Sequence, residues 1–201
     1  MIPKIKICGI KKPSEINCLN KLNIDYVGFV FAKSKRQITI EQAKELKQNL
    51  SKNIKSVAVV VEPNKELLKQ ISNSGFDIIQ WHGKLYEEVI NKINIPLWQA
   101  VSVNNFEDMS NLIYHKSIIG YIFDGRKPGS GKTFDWTLLE SIKLNKPLIL
   151  AGGLSADNIK MAIEKIHPDI VDVSSGVENH NGKDLNKIKE FVRKVREFGT
   201  K

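Results

Sequence analysis

The sequence predicts an α/β fold, a closed (β/α)8 barrel of the TIM type, built as a single compact domain over residues 1–201. Eight short apolar runs recur along the chain, and most are continuous, as in parallel strands buried on both faces. Segments with helical spacing separate them, and such alternation is typical of parallel sheets. Eight repeats favour a closed barrel over an open doubly wound sheet, although 201 residues lie near the lower limit for a barrel.

Each apolar run has the length of a strand, and successive runs start roughly 20 to 30 residues apart, which leaves room for one helix and two turns. The runs cover residues 4–8, 26–31, 56–61, 77–80, 96–101, 119–123, 147–151 and 170–174.

The segments between the runs carry helical signals, so we expect about eight helices. Pro13 suits a first helical turn, and Ser155 can cap the helix that follows the seventh run. Other segments place their apolar residues on one face. These residues are Ala43, Leu46 and Leu50; Leu67, Leu68 and Ile71; Val89, Ile90 and Ile93; Ile159, Ala162, Ile163 and Ile166; and Leu185, Ile188, Phe191, Val192, Val195 and Phe198.

Composition indicates a cytoplasmic globular protein. Hydrophobic residues make up 41% and charged residues 26% of the chain, with no run of the roughly 18 apolar residues that a membrane span needs. The first residues lack the pattern of a secretory signal, and two cysteines, Cys8 and Cys18, form no disulfide framework.

The net charge of +9 indicates either a lysine-rich surface or an anionic partner. The lysines are scattered and no nucleic-acid-binding motif is present, so nucleic acid is the weaker alternative and a small phosphorylated substrate the stronger one.

Turns of small residues end the last two apolar runs. Gly152 and Gly153 follow the seventh run, and Ser174, Ser175 and Gly176 follow the eighth. Such turns let backbone N–H groups approach an anion, and the loops after strands seven and eight of these barrels are a frequent phosphate site. The sequence therefore predicts a phosphate-binding cradle there.

Two candidate catalytic residues lie at the ends of other runs. Cys8 ends the first run before Gly9, where its thiolate could act as a base, although a strand cysteine is more often a small buried side chain. Asp124 follows the sixth run and is either a turn-forming residue before Gly125 or a general acid whose pKa is raised by partial burial. Cys18, in the first helical segment, is expected to pack.

Arg36 and His82 follow the second and fourth runs. Arg36 is either a surface cation or a partner for a carboxylate, and His82 is either structural or a base. The sequence Gly-Ser-Gly-Lys-Thr, with Gly131 at its centre, lacks the upstream glycine of a P-loop and is interpreted as a flexible loop over the barrel mouth. No residues stand at metal-ligand spacing, so we expect no metal.

Eight short segments, each weak alone, together form a specific pattern along essentially the whole chain. They are KICGI at 6–10, GFVF at 28–31, SKR at 34–36, QWHG at 80–83, GSGKTFDW at 129–136, LAGGL at 150–154, DVSSGVE at 172–178 and GKD at 182–184. With these segments the chain resembles phosphoribosylanthranilate isomerases of tryptophan biosynthesis. Two features depart from that family: Trp81 stands where a smaller aliphatic residue is expected, and the loop after Asp124 is short and carries Arg126 and Lys127.

The resemblance implies an Amadori rearrangement that needs no cofactor. Asp124 would protonate the furanose oxygen as general acid, and Cys8 would remove the proton from C2 as general base. Arg36 would bind the anthranilate carboxylate and Asp172 would orient a ribose hydroxyl. The cradle, with Gly131 nearby, would hold the phosphate. The resemblance leaves monomer and homodimer open, and no nucleic acid or membrane partner is expected.

Three alternatives remain at this stage. The isomerase of histidine biosynthesis performs the same rearrangement, but its family has a longer chain and an aspartate at the position of Cys8. A non-catalytic phosphosugar-binding barrel would keep the cradle without needing Cys8 and Asp124 together. A nucleic-acid-binding domain is supported only by the net charge of +9.

Overall fold

Eight parallel strands close into a barrel in the computed structural model, which describes residues 1–125, 133–140 and 142–199. Each strand pairs with the next along the chain, and β8 pairs with β1 to complete the ring. The strands are β1 (Lys4–Cys8), β2 (Tyr26–Val30), β3 (Lys55–Val61), β4 (Ile78–His82), β5 (Leu97–Val103), β6 (Ile118–Gly125), β7 (Leu148–Leu150) and β8 (Ile170–Val173). The predicted barrel is confirmed.

Helices connect most strands. The α-helices are α1 (Pro13–Leu19), α2 (Ile40–Gln48), α3 (Lys65–Ser72), α4 (Glu87–Ile90), α5 (Ile159–Ile166) and α6 (Leu185–Arg196). Within the described ranges, four short 3-10 helices cover Phe106–Asn111, Trp136–Leu139, Ser175–Val177 and Glu197–Gly199. The two-residue strands β9 (Glu178–Asn179) and β10 (Gly182–Lys183) form an antiparallel pair before α6. None of these helices is long and apolar enough to span a membrane.

Two hydrophobic cores follow from the alternation of side chains along the strands. Residues that point outward, such as Ile7 and Phe29, pack beneath the helices in one large core. Residues that point inward fill the barrel itself, with Trp98, Ile122 and Val57 fully or almost fully buried. These described side chains fill the interior below the carboxyl end of the barrel, which leaves the mouth at that end for a ligand.

Three connections differ from the sequence-based expectation. The described residues after β5 and β6 form 3-10 helices instead of α-helices. In the first of these, Asn105 and Asp108 cap each other within one short turn, which polar residues of this kind favour. The prediction that Ser155 caps α5 is wrong. Asn158 precedes Ile159 at the start of that helix, and the Ser155 hydroxyl accepts a hydrogen bond from the Asp157 N–H instead.

Candidate active site

A cavity of about 420 Å³ opens at the carboxyl end of the barrel. Strands from both halves of the ring contribute to its walls, and its size suits a small sugar phosphate better than a polymer. Its polar lining includes Cys8, Arg36, Gln80, His82, Ser102, Asp124, Asp172 and Ser174.

Cys8 is the last residue of β1 and is only 7% exposed. Gly28 lies opposite it on β2, and a Cβ built on Gly28 would come within 2.7 Å of Cys8 Sγ. A glycine at this position therefore gives the thiol its space. Burial raises the pKa of the Cys8 thiol, while the ammonium groups of Lys6 and Lys183 oppose that rise.

Lys6 and Asp172 form a buried ion pair inside the barrel, below Cys8. Lys6 Nζ lies 2.8 Å from Asp172 Oδ2, and the two side chains are 0% and 8% exposed. Burial alone would lower the pKa of Lys6, but the charge of Asp172 raises it above its usual value, so the ammonium form is kept. Asp172 Oδ1 has no hydrogen-bond partner among the described residues.

Asp124 points into the same cavity from β6, which extends one residue past it to Gly125. Burial, followed by the negative charge of Asp172, raises the pKa of Asp124 to about 6. Its Oδ1 accepts a 2.8 Å hydrogen bond from the Gly125 N–H. A Cβ on Gly152 would come within 2.9 Å of that same oxygen, so the glycine turn after β7 leaves room for the carboxyl group.

Arg36 is fixed at the mouth by a two-pronged contact with Glu178. Nε lies 2.6 Å from Oε1 and Nη2 lies 3.0 Å from Oε2. Lys183, whose side chain is 1% exposed, also donates to Glu178 Oε1 at 2.8 Å. Burial alone would raise the pKa of Glu178, but these hydrogen bonds lower it well below the usual range. Arg36 is therefore held by a partner that is ionised at neutral pH.

The two predicted turns lie side by side after β7 and β8. Gly152 and Gly153 have φ angles of +82° and +66°, a conformation that glycine adopts readily. A side chain on Gly176 would overlap the carbonyl oxygen of Leu154, which shows how closely the second turn packs on the first. Ser174 Oγ donates to the Cys8 carbonyl at 3.0 Å, which ties this turn to β1. Gly131, predicted nearby, lies outside the described residues.

Gln80 and His82 lie on the wall formed by β4. Gln80 Nε2 is 2.8 Å from His82 Nε2. Burial, followed by the charge of Lys6, lowers the pKa of His82 to about 4, so its ring is neutral near pH 7. Trp81 points away from the cavity into the outer core, where it is 3% exposed and donates to the Lys84 carbonyl at 3.0 Å.

Comparison with known proteins identifies the family. The family model described as N-(5'-phosphoribosyl)anthranilate (PRA) isomerase matches residues 5–194. The chain belongs to the phosphoribosylanthranilate isomerase family. It is 48% identical over 198 residues to the N-(5'-phosphoribosyl)anthranilate isomerase of Clostridium kluyveri, with 96% of this chain and 98% of the relative covered. The isomerase of Thermoanaerobacter pseudethanolicus is 43% identical over 199 residues, with the same coverage.

Solved structures of phosphoribosylanthranilate isomerases share the fold. The enzyme from Thermotoga maritima has a TM-score of 0.87 and 33% identity, covering 96% of this chain and 98% of that one. A second isomerase structure, in complex with reduced 1-(o-carboxyphenylamino)-1-deoxyribulose 5-phosphate, has a TM-score of 0.83 and 32% identity with the same coverage.

Within this isomerase the barrel brings most of the predicted residues together. Cys8, Arg36, Asp124, Asp172 and Ser174 all line one cavity. The turns at 152–153 and 174–176 adjoin it, since Gly152 lies against Asp124 and Ser174 is itself part of the wall.

Four further residues that contact these groups or His82 were not assigned a role from the sequence. They are Lys6, Gln80, Glu178 and Lys183. Lys6 and Gln80 carried a signal, because each is a polar residue inside an otherwise apolar strand. Glu178 and Lys183 stand in two of the matching segments, 172–178 and 182–184, but the sequence does not show that their side chains meet.

Proposed function

We propose that this isomerase catalyses the Amadori rearrangement of N-(5-phosphoribosyl)anthranilate with Asp124 as general acid and Cys8 as general base. The observation that carries the proposal is the meeting of a buried thiol and a raised-pKa carboxyl group in one cavity of about 420 Å³. Their strands are not neighbours, because β7 and β8 separate β6 from β1 on the shorter path around the ring. The two groups can therefore act on different sides of a small sugar.

The proposed chemistry is a proton transfer at each side. Asp124 gives its proton to the furanose ring oxygen, the bond from C1 to that oxygen breaks, and an iminium forms at C1. Cys8, as thiolate, then takes the proton from C2 to give an enolamine, which tautomerises to the C2 ketone. The substrate's own nitrogen accepts the electron pair, so the scheme uses no cofactor. A pKa of about 6 leaves a minor protonated fraction of Asp124 near neutral pH, and that fraction can act as the acid.

The remaining site residues are proposed to bind the substrate. The cavity wall is lined by Arg36, which suits the anthranilate carboxylate because a guanidinium forms paired hydrogen bonds with such a group. Asp172 Oδ1, which has no described partner, suits a ribose hydroxyl. Backbone N–H groups at Gly152, Gly153, Ser174, Ser175 and Gly176 suit the phosphate, and the predicted part of Gly131 falls outside the described residues.

We further propose that residues 1–201 act as one domain, in the cytoplasm, as a monomer or homodimer. All eight strands belong to one closed barrel, which supports the single domain. The isomerase of Thermotoga maritima is described as dimeric in a structure of its monomers. Light scattering of the purified chain distinguishes the two states.

Two substitutions test the acid and the base. Cys8→Ser and Asp124→Asn should each lower kcat at least about 100-fold, because each removes a proton-transfer group. The affinity for the product should stay largely intact. The measurement is the loss of anthranilate fluorescence from freshly prepared substrate.

Cys18→Ser and Asp157→Asn are the matched controls, since neither lines the cavity. Near-wild-type turnover in Cys8→Ser or Asp124→Asn would remove that residue from the mechanism. A wild-type protein that leaves the fluorescence unchanged would refute the proposed activity itself.

A further inference from the structure

The β4 wall of the cavity contains a polar atom that the proposed mechanism does not use. Gln80 lines the cavity and is only 3% exposed, and its Oε1 has no hydrogen-bond partner among the described residues. A buried carbonyl oxygen without a partner costs free energy, so such groups are normally paired. An unpaired acceptor inside a substrate cavity is available to a donor group on the substrate.

His82 determines which end of the Gln80 amide remains available. The two Nε2 atoms lie 2.8 Å apart, so the amide N–H can donate to the ring nitrogen when that nitrogen is unprotonated. The ring of His82 is neutral at neutral pH, and the condition holds for the tautomer that carries its proton on Nδ1. With that tautomer the amide nitrogen is engaged by the ring, and the oxygen is left as the acceptor.

The same cavity holds a second unpartnered acceptor on its opposite side. Lys6 Nζ donates a hydrogen bond to Asp172 Oδ2 at 2.8 Å, while Asp172 Oδ1 has no partner among the described residues. In the ring of eight strands β4 lies opposite β8, with β1 on one arc between them and β6 on the other. The strands that carry Gln80 and Asp172 thus face each other across the barrel. The strands that carry Cys8 and Asp124 lie on opposite sides of the line that joins them.

Of the groups on the proposed substrate, only some can donate a hydrogen bond to Gln80. The phosphate and the carboxylate are anionic acceptors. The amine N–H lies next to the ortho carboxylate of its own ring, which can accept it internally. The ribose hydroxyls are the donors that remain, and they lie in the part of the substrate that must sit between Cys8 and Asp124.

We propose that Gln80 is a specificity-determining residue that accepts a hydrogen bond from a hydroxyl group of the sugar, with His82 as its positioning residue. The inference rests on the proposed function. It extends that function by assigning recognition of the sugar to β4, whereas the mechanism above places recognition on β8 and the loops.

Binding of reduced 1-(o-carboxyphenylamino)-1-deoxyribulose 5-phosphate to Gln80→Met tests this proposal without requiring turnover. Gln80→Met should weaken binding of the reduced product at least about tenfold, because the hydroxyl loses its acceptor in a buried site. Its three monodeoxy analogues, lacking the hydroxyl at C2, C3 or C4, are then titrated against both proteins by anthranilate fluorescence. One of the three analogues should bind wild type more weakly than the reduced product does, yet bind Gln80→Met as tightly as the reduced product does.

Gln99→Met is the matched control. Gln99 is a buried glutamine on the neighbouring strand, but both ends of its amide are satisfied by the backbone of Asn111 and Ile113. This variant should lose stability without changing the ratios among the analogues. Affinity for inorganic phosphate and the circular dichroism spectrum report whether Gln80→Met keeps the fold and the phosphate subsite.

His82→Leu tests the positioning role. His82→Leu should weaken binding of the reduced product when Gln80 is present and should cause no further loss of affinity in Gln80→Met. If His82 were merely structural, its substitution would weaken binding in both proteins. The proposal would be overturned if Gln80→Met bound the reduced product with wild-type affinity. It would also be overturned if, for all three analogues, the fold loss in affinity from the missing hydroxyl were the same in Gln80→Met as in wild type. Wild-type turnover is measured on the same preparation, so failure of the proposed function is seen separately.

Discussion

At the scale of single residues, burial acts in the same direction on the proposed acid and the proposed base. It raises the pKa of Asp124 to about 6 and also raises the pKa of the Cys8 thiol. At pH 7 most molecules therefore carry an ionised Asp124 and a neutral Cys8, which is the reverse of what the reaction needs. The reactive form, with the proton on Asp124 and a thiolate at Cys8, is a minor species throughout the neutral range.

This order of pKa values predicts a flat-topped pH profile. Below about pH 6 the thiolate fraction rises with pH while Asp124 stays protonated, so kcat/KM should rise tenfold per unit. Between pH 6 and the raised pKa of the Cys8 thiol, the gain in thiolate cancels the loss of protonated acid. Above the thiol pKa the rate should fall.

Steady-state kinetics between pH 5 and 10 measure this profile, with circular dichroism at each pH as the control for folding. His82 has a pKa of about 4, so its titration should cause no rise or fall in kcat/KM between pH 5 and 10. A profile that rises through pH 7 and is still rising at the thiol pKa would show that Asp124 is not the acid.

At the scale of elements, Glu178 joins parts of the chain that are far apart in sequence. It lies in β9 and binds Arg36 from the loop after β2 and Lys183 from β10. Lys183 also donates to the Ser174 carbonyl oxygen at 2.8 Å, which connects the same cluster to the turn after β8. The carboxylate end and the phosphate end of the proposed substrate site are thus held by one ionic network.

Glu178→Gln should destabilise the fold by about 3 kcal/mol at pH 7, because two largely buried cations lose their partner. The folded-state pKa of Glu178 is lowered, so its contribution is complete above the unfolded pKa of about 4.3 and is lost as the pH falls further. Urea unfolding of wild type and variant at pH 7 and at pH 3.5 measures the difference.

The gap in stability between wild type and Glu178→Gln should shrink at the lower pH. Glu190→Gln is the control, since Glu190 is 51% exposed in an i,i+4 pair with Lys194 and should change stability by less than about 0.5 kcal/mol. A gap that is the same at both pH values would argue against an ionised, network-forming Glu178.

At the scale of the whole molecule, the barrel is stabilised by its filled interior as well as by the packing of helices around it. Trp98 is the largest fully buried side chain, and it contacts Tyr26 edge to face with ring centroids 5.0 Å apart. Gly120 on β6 lies against the Trp98 ring, where a Cβ would come within 3.1 Å. One aromatic side chain therefore links β2, β5 and β6 across the interior.

Trp98→Ala should lower the free energy of unfolding by about 3 to 5 kcal/mol, because it leaves a cavity at the centre of the ring. Urea denaturation followed by circular dichroism measures the loss. Phe106→Ala is the control, since Phe106 is 60% exposed and should matter little. Equal losses in the two variants would contradict the central role of the interior.

The barrel and most of the cavity could be predicted because their signals are local. A buried parallel strand has a continuous run of apolar residues in the sequence. The residue that ends such a run lies at the mouth of the barrel, and this position can be recognised without knowing its neighbours in space. Cys8, Arg36, Asp124 and the glycine turns were found in this way. Ser155 was misassigned as a cap because serine also forms turns, and the local sequence does not separate the two roles.

The sequence by itself determined the order of strands, the residues that end them and, through its motifs, the family. Only the tertiary structure decided which charges meet and which are buried. Lys6 with Asp172 and Glu178 with Lys183 and Arg36 depend on ring closure and loop packing, which bring together residues up to 166 positions apart. Burial and facing charges set a pKa, so the raised values at Cys8 and Asp124 and the unpaired oxygen of Gln80 exist only in the folded barrel.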